Sequence, residues 1–464
     1  MADPRLPTLD SADRALIGEA LTSSAAYDTV VDLCERIGIR FGGTAGEHRA
    51  ADYLLGRMQA LGLTNTHLEE VPFLGWQRGP ATLELVDPAT QAFGVIGLPY
   101  TPPADLTGEV TFVGQGEEED FALLAGQLAG KLVLCLAETT PPPGKKSSHR
   151  REKYLRAFEA GASAFLYVSQ NPGQQLVTGS LTAASRAELP AVAVSLEDGW
   201  VIRRLLARGP VRARLRIEAA FSPTVGYNVV GDVPGSEPGQ LVLVGGHYDS
   251  HDLCVGAADN GSGTAVSLEA ARLLLPHASL LAAGVRVVLF CGEEIGLLGS
   301  WEHVRRHEAE LDNLRFMLNL DSVGRGRMGS EQLRLMGAED LEAHFRGLAD
   351  AMSYPLGVES KSSAYSDHFP FVVNRIPTGS LVSSESGGGL VGRGWGHTAS
   401  DTLDKVEDMP LRVASMVAAR LLLRIAAAHD WPGQRRAPEV TQALLDAEGL
   451  TAYRQRTGRY PFQP

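Results

Sequence analysis

Residues able to hold metal or move protons stand at the ends of apolar runs in this chain. LVLVGG leads into His247-Tyr248-Asp249, VRVVLFCG into Glu293-Glu294, and RFMLNL into Asp321. The turn GAADNGSG carries Asp259, and the Gly-rich run GGGLVGRGWG delivers His397. Taken singly, each has an ordinary reading. A Glu-Glu pair at a helix start complements the helix dipole, and an Asp before Ser caps a turn. Taken together, two imidazoles and three carboxylates make a donor set for two divalent cations. The remaining Glu, beside a ligand, is placed to act as a base. Such equipment serves hydrolysis of amide bonds by metal-activated water.

Elements that could bring these residues together follow from the pattern. From YNVVGDVPG to about residue 428, short apolar strand runs alternate with helical stretches, which predicts an α/β layered domain with a mainly parallel sheet flanked by helices. In such open sheets functional groups collect beyond the carboxyl ends of the strands, so residues distant in sequence can share one crevice. Upstream, AYDTVVDLCERIG and GEHRAADYLLGRMQALG have helical spacing and are split by the loop IRFGGTA. Between lies a stretch of different character. ATLELV, GEVTFVG, KLVLCLA, SAFLYVS, PAVAVS and VRARLRIEAA are β-rich runs without paired His or carboxylate motifs. The expected division is therefore 1–80 and 222–464 as one discontinuous catalytic domain, interrupted by a β-rich insert at 81–221. PPPGKKSSHRREKY within the insert reads as a solvated basic loop.

Composition narrows the partners. The 464 residues include 42 Lys and Arg against 55 Asp and Glu, a net charge of −13. That balance argues against a nucleic-acid partner. Hydrophobic content of 44% and charged content of 21% are ordinary globular values. The run VASMVAARLLLRIAAAHDW is broken by Arg420 and Arg424, so it reads as a helix with one buried face and not as a membrane span. The first residues lack the basic start and continuous apolar core of a secretory leader. Cys135 and Cys291 sit in strand runs as reduced core residues. A cytoplasmic location is expected.

The motifs GGHYDS, GAADNGSG, FCGEEIGLLGS, NLDSVG, AYSDHFPF and GHTASDT resemble the di-zinc aminopeptidase family, of the aminopeptidase Y and bacterial leucyl aminopeptidase type. GKLVLCLA, EAGASAFLYVS and LPAVAVS make the insert similar to a protease-associated domain, and the overall order resembles the carboxypeptidase Q-like dipeptidases. The resemblance implies the zinc exopeptidase fold and two Zn2+, with other divalent metals open. It implies His247 and Asp321 on one zinc, Glu294 and His397 on the other, and Asp259 bridging. Glu293 would be the general base, and Asp249 would fix the tautomer of His247. It also implies a cis Asp259–Asn260 peptide. The expected substrate is a peptide or dipeptide with a free N-terminus, and homo-oligomerisation is left open. Two departures stand out. Gly396 precedes His397 where relatives place a Tyr, leaving Tyr365, Tyr248 and Trp395 as candidates to steady an oxyanion. Cys254 follows the His-x-Asp motif as either a packed or a reactive thiol. The alternatives are a metal-free binding or receptor protein on the same scaffold, or a single-zinc glutaminyl cyclase.

Overall fold

Seven-residue runs such as Gly284–Phe290 and Leu314–Leu320 are buried at every position, as strands covered on both faces must be. The computed structural model describes residues 8–137, 147–383 and 394–464. The start of the chain, part of the Pro and Lys loop and most of the Gly-rich run before His397 lie outside the described residues. The chain divides into two units. The first comprises Met1–Pro72, Val225–Gly387 and Asp401–Pro464; the second comprises Phe73–Thr224 and Gly388–Ser400. The long strands Thr64–Asp87 and Arg212–Val233 carry the chain between them.

In the first unit, four strands run parallel in the order Gly284–Phe290, Leu241–His247, Leu314–Leu320, Thr378–Ser383. Antiparallel neighbours close both sides: residues 229–233 against 285–289, and Glu331–Met336 against Thr378–Ser383. Register decides where the chemistry falls. His247 pairs with Phe290, and Gly245 pairs with Asn319, so His247 and Asp321 leave their strands at the same level. Helices Ser262–Leu274 and Asp408–Ala427 pack against the central strands. Alternate strand residues Leu243, Val288, Phe290 and Met317 share a core with Val304 and Phe371 of helices Leu298–Arg306 and His368–Val373.

The helix Asp408–Ala427 departs from expectation. It is buried around its whole circumference from Val413 to Ala426, not on one face. The reason is Leu9–Thr22, an N-terminal helix that packs against it and brings Asp13 to the two arginines that interrupt the apolar run. Arg420 donates to both Asp13 carboxylate oxygens at 2.8 and 2.7 Å, and Arg424 donates at 2.6 Å. Guanidinium groups that looked like solvent-facing breaks are thus paired in the interior.

In the second unit, Ala191–Val194, Ala164–Val168, Leu132–Leu136 and Ala104–Phe112 run parallel in that order. Gln91–Gly97 joins Ala191–Val194 antiparallel, and residues 212–217 join 104–109 antiparallel. Three helices accompany them: Glu118–Leu123, Arg150–Glu159 and Leu196–Leu206. The described end of the basic loop is exposed at Ser147 and becomes buried from Arg150. Residues 150–154 begin a helix whose Arg150 and Lys153 are buried. Their cations are satisfied by carbonyls: Lys153 Nζ donates to Leu136 and Ala137 at 2.8 and 3.1 Å, and Arg150 to Ser180 at 3.2 Å.

Candidate metal centre

Strand ends and the turn before helix Ser262–Leu274 deliver the acids and one imidazole into a common space in the first unit. His247 Nε2 lies 3.3 Å from Asp259 Oδ1 and 3.7 Å from Asp321 Oδ1. Donor atoms of His247, Asp259 and Glu294 lie within 4.8 Å of one another, as do those of His247, Glu293 and Asp321. Five of the six residues expected to ligate or act as base therefore converge. His397 is carried by the second unit, on the segment Gly388–Ser400. Its backbone is left-handed, with φ 64°, and a two-way tie to Thr178 holds it: Thr178 N donates to the His397 carbonyl at 2.8 Å, and Nδ1 faces the Thr178 carbonyl at 3.2 Å. That tie engages both the backbone carbonyl and Nδ1 of His397.

Several residues hold this arrangement in ways the sequence did not assign. Asn260 ties three segments: its amide donates to the carbonyls of His247 and Leu320 at 3.1 and 2.9 Å, while its oxygen accepts from Gly263 and Ser322. The Asp259–Asn260 peptide that presents this side chain is cis. A Cβ at Gly263 would stand 2.0 Å from the Leu320 carbonyl oxygen, so only glycine permits the helix to start this close to the strand end. Asp401 accepts from the backbone N–H of Ala258 and Asp259 at 2.9 and 3.0 Å and so fixes the Asp259 turn. Ser366 donates to Asp321 at 2.7 Å. Arg40, fully buried, donates to the carbonyls of Tyr248, Val255 and Gly256 and clamps the loop that follows His247. His251, two residues beyond Asp249, places Nε2 2.9 Å from Glu294 Oε2. The His-x-Asp-x-His spacing of 247, 249 and 251 was the available signal for it.

Asp249 takes a second structural part beside the expected contact with His247. Nδ1 of His247 points to the Asp249 backbone carbonyl at 3.2 Å, with the nearer carboxylate oxygen at 3.5 Å. The Asp249 carboxylate also accepts from the backbone N–H of Glu293 and Glu294 at 3.1 and 3.3 Å, setting the turn that presents both. Among the candidates for oxyanion contact, Tyr248 is spent: its fully buried hydroxyl binds Glu47 and the Tyr227 carbonyl. Tyr365 packs edge-on against Phe462. Burial pushes the Cys254 thiol up, which keeps it protonated and unreactive. His368 is bound to Ser363 and Ser380, and burial holds it down to about 4, so it remains a neutral packing residue.

The electrostatics call for a cation. Burial, reinforced by Glu294, Asp321 and Asp367, pushes the Glu293 carboxyl well above the usual range, while His247 opposes the shift. Burial likewise raises Asp367 to about 7 and Asp401 to about 6. The His247 imidazole is raised although burial works against its charge, because Glu293, Asp249, Asp259 and Asp321 surround it. Carboxylates crowded this closely in a buried space favour bound positive charge. Imidazole nitrogen mixed with carboxylate oxygen is a donor set that suits zinc.

Fold and cluster define an α/β domain with a metal-type centre at the carboxyl edge of its parallel strands. The peptidase family M28 model matches residues 228–422, and the PA domain model matches residues 83–202. It is 27% identical over 310 residues to carboxypeptidase Q of Mus musculus, a match spanning 64% of each chain. A solved peptidase M28 precursor from Shewanella amazonensis superposes with a TM-score of 0.80 at 26% identity, covering 93% of this chain and all of that one. BSAP, a zinc aminopeptidase from Bacillus subtilis, gives a TM-score of 0.64 at 26% identity over 87% of this chain and 95% of its own.

Proposed function

We propose that the chain is a two-zinc exopeptidase that removes N-terminal residues from peptides or splits dipeptides. The observation that carries this reading is the convergence of His247, Glu293, Glu294 and Asp321, at or just beyond the ends of parallel strands, with Asp259 from the turn before helix Ser262–Leu274. The similarity to a named zinc aminopeptidase and to carboxypeptidase Q supports the substrate class. His247 and Asp321 would hold one zinc, Glu294 and His397 the other, and Asp259 would bridge. Bound zinc would supply a Lewis acid for the scissile carbonyl and bring water toward a pKa of about 7.

The chain's own residues do the rest. Glu293 receives the proton of the attacking water and returns it to the leaving amine nitrogen. Asp249, through the backbone N–H groups of Glu293 and Glu294, keeps the base and its ligand neighbour in fixed register. The concentration of carboxylates suits a free α-ammonium group on the substrate, which accounts for exopeptidase action. The insert at 81–221 is proposed to supply no ligand and to shape access or self-association. Cytoplasmic residence is proposed from Cys34, Cys135, Cys254 and Cys291, which are all buried free thiols.

Metal content tests the reading. Purified protein is expected to carry two zinc ions in this centre and to lose dipeptide and aminoacyl-anilide hydrolysis on chelation. Asp259→Ala removes a ligand from both ions and is expected to lose most of that zinc. Full occupancy in this variant, measured by elemental analysis, would sink the bridging assignment. A single ion in the centre would favour the cyclase reading, and none the binding protein.

A further inference from the structure

A second group of metal-type donors lies apart from the strand-end centre. Helix Leu298–Arg306 carries His303, and His307 follows it at its C-terminal end, four residues on, so both imidazoles sit on one helical face with ring centroids 4.4 Å apart. Glu69, on the strand Thr64–Asp87 and 1% exposed, reaches between them. Its Oε2 is 2.9 Å from His303 Nδ1, and its Oε1 is 2.6 Å from His307 Nε2. His67 stands at the rim, its Nε2 3.6 Å from Glu69 Oε1.

The outer partners are arranged as metal sites arrange them. His307 presents its far nitrogen, Nδ1, to Glu310 Oε1 at 3.0 Å, and Arg286 backs that carboxylate at 2.9 Å. His67 presents Nδ1 to the Asn65 carbonyl at 2.8 Å. A ring N–H committed outward leaves the other nitrogen's lone pair aimed inward, the pattern that orients ligating histidines. Phe290 and Phe371 flank the His303 ring, and burial there holds His303 below its ordinary value, in the neutral form a ligand needs. Asn228 joins Glu69 at 3.2 Å to the Gly299 carbonyl at 2.9 Å and the Cys291 backbone N–H at 3.2 Å. Cys291 lies two residues before Glu293.

We propose that Glu69, His303 and His307, with His67 at the rim, bind a further divalent transition metal, zinc by donor type, as a structural ion behind the Glu293–Glu294 turn. Two imidazoles and a carboxylate make a three-ligand zinc set, and His67 or water completes four. Binding displaces the proton now shared between Glu69 and His307, so uptake releases acid. The proposal does not rest on the two-zinc reading of the strand-end centre.

The readout is a difference, so the content of the other centre does not matter. Apoprotein is dialysed against Zn2+, washed, and zinc per chain is counted in the wild type, in His303→Ala/His307→Ala and in Glu69→Gln. Each variant is expected to hold one zinc fewer than the wild type and to lose part of the zinc-dependent rise in Tm. If the double variant misfolds, Glu69→Gln, which keeps shape, carries the comparison. Asp259→Ala is expected to retain this ion, and Co2+ in that variant should show an absorption spectrum of nitrogen and oxygen ligation that Glu69→Gln abolishes. Equal zinc in the wild type and Glu69→Gln, with a Co2+ spectrum unchanged by the substitution, overturns the proposal and leaves a proton-sharing Glu–His network.

Discussion

Glu293→Gln is expected to cut peptide hydrolysis by about 10²–10⁴-fold while zinc content stays at the wild-type level. The amide keeps the shape of the carboxylate but cannot take a proton from water. The turn survives, because its hydrogen bonds to Asp249 come from the backbone of Glu293 and Glu294 and not from the substituted side chain. Binding of an uncleaved peptide should therefore persist. Glu294→Gln is the control with the opposite signature. A neutral amide is a poorer ligand than a carboxylate, so zinc affinity should fall and added zinc should restore part of the turnover. Restoration of Glu293→Gln by zinc, with none for Glu294→Gln, would reverse the two roles.

The strand ends were legible because burial and chemistry alternate sharply along the chain. Fully apolar runs must be strands covered on both faces, and the polar residue that ends each run must lie at the sheet's edge. That reasoning brings His247, Glu293, Glu294 and Asp321 together without knowledge of the register. It could not find Asn260, Asp401 or Arg40. Their work is to bind backbone carbonyls and N–H groups of segments far away in sequence, and no periodicity records such a bond. The Asp249 carboxylate shows the same limit. A carboxylate near a histidine suggests a side-chain pair, and gives no sign that two backbone N–H groups beyond the end of another strand bind the same carboxylate. Glu69 and the pair His303 and His307 escaped because they are more than two hundred residues apart and sit on elements of different period. The segment holding His397 groups with the second unit by contact, although chain order places it within the stretch expected to be catalytic.

The largest stability loss is expected at Asp13, an acid that nothing in the N-terminal sequence marks as buried. Asp13→Ala would leave Arg420 and Arg424, 4% and 9% exposed, without their carboxylate. Removing one member of a buried ion cluster strands the remaining charges in a poor dielectric, at a cost of about 3–5 kcal/mol. Arg420 keeps only its bond to the Met352 carbonyl at 2.6 Å. The acid arm of the stability profile should change as well. Burial opposes ionisation of Asp13, but hydrogen bonds from Arg420 and Arg424 prevail and lower its pKa from 3.8 to about 2. A carboxyl depressed on folding adds stability that is complete above the unfolded value and lost as pH falls through the folded one. Wild-type stability attributable to this group should thus decline between about pH 4 and pH 2, and the Asp13→Ala profile should lack that component. Urea unfolding of both proteins from pH 6 to pH 2 measures the difference directly. Replacing all three residues by apolar ones of similar volume should recover most of the loss, because the desolvation cost vanishes with the charges. A single Asp13→Ala change that shifted stability at pH 6 by less than about 0.5 kcal/mol would place the cluster among solvent-screened surface bridges and contradict its burial.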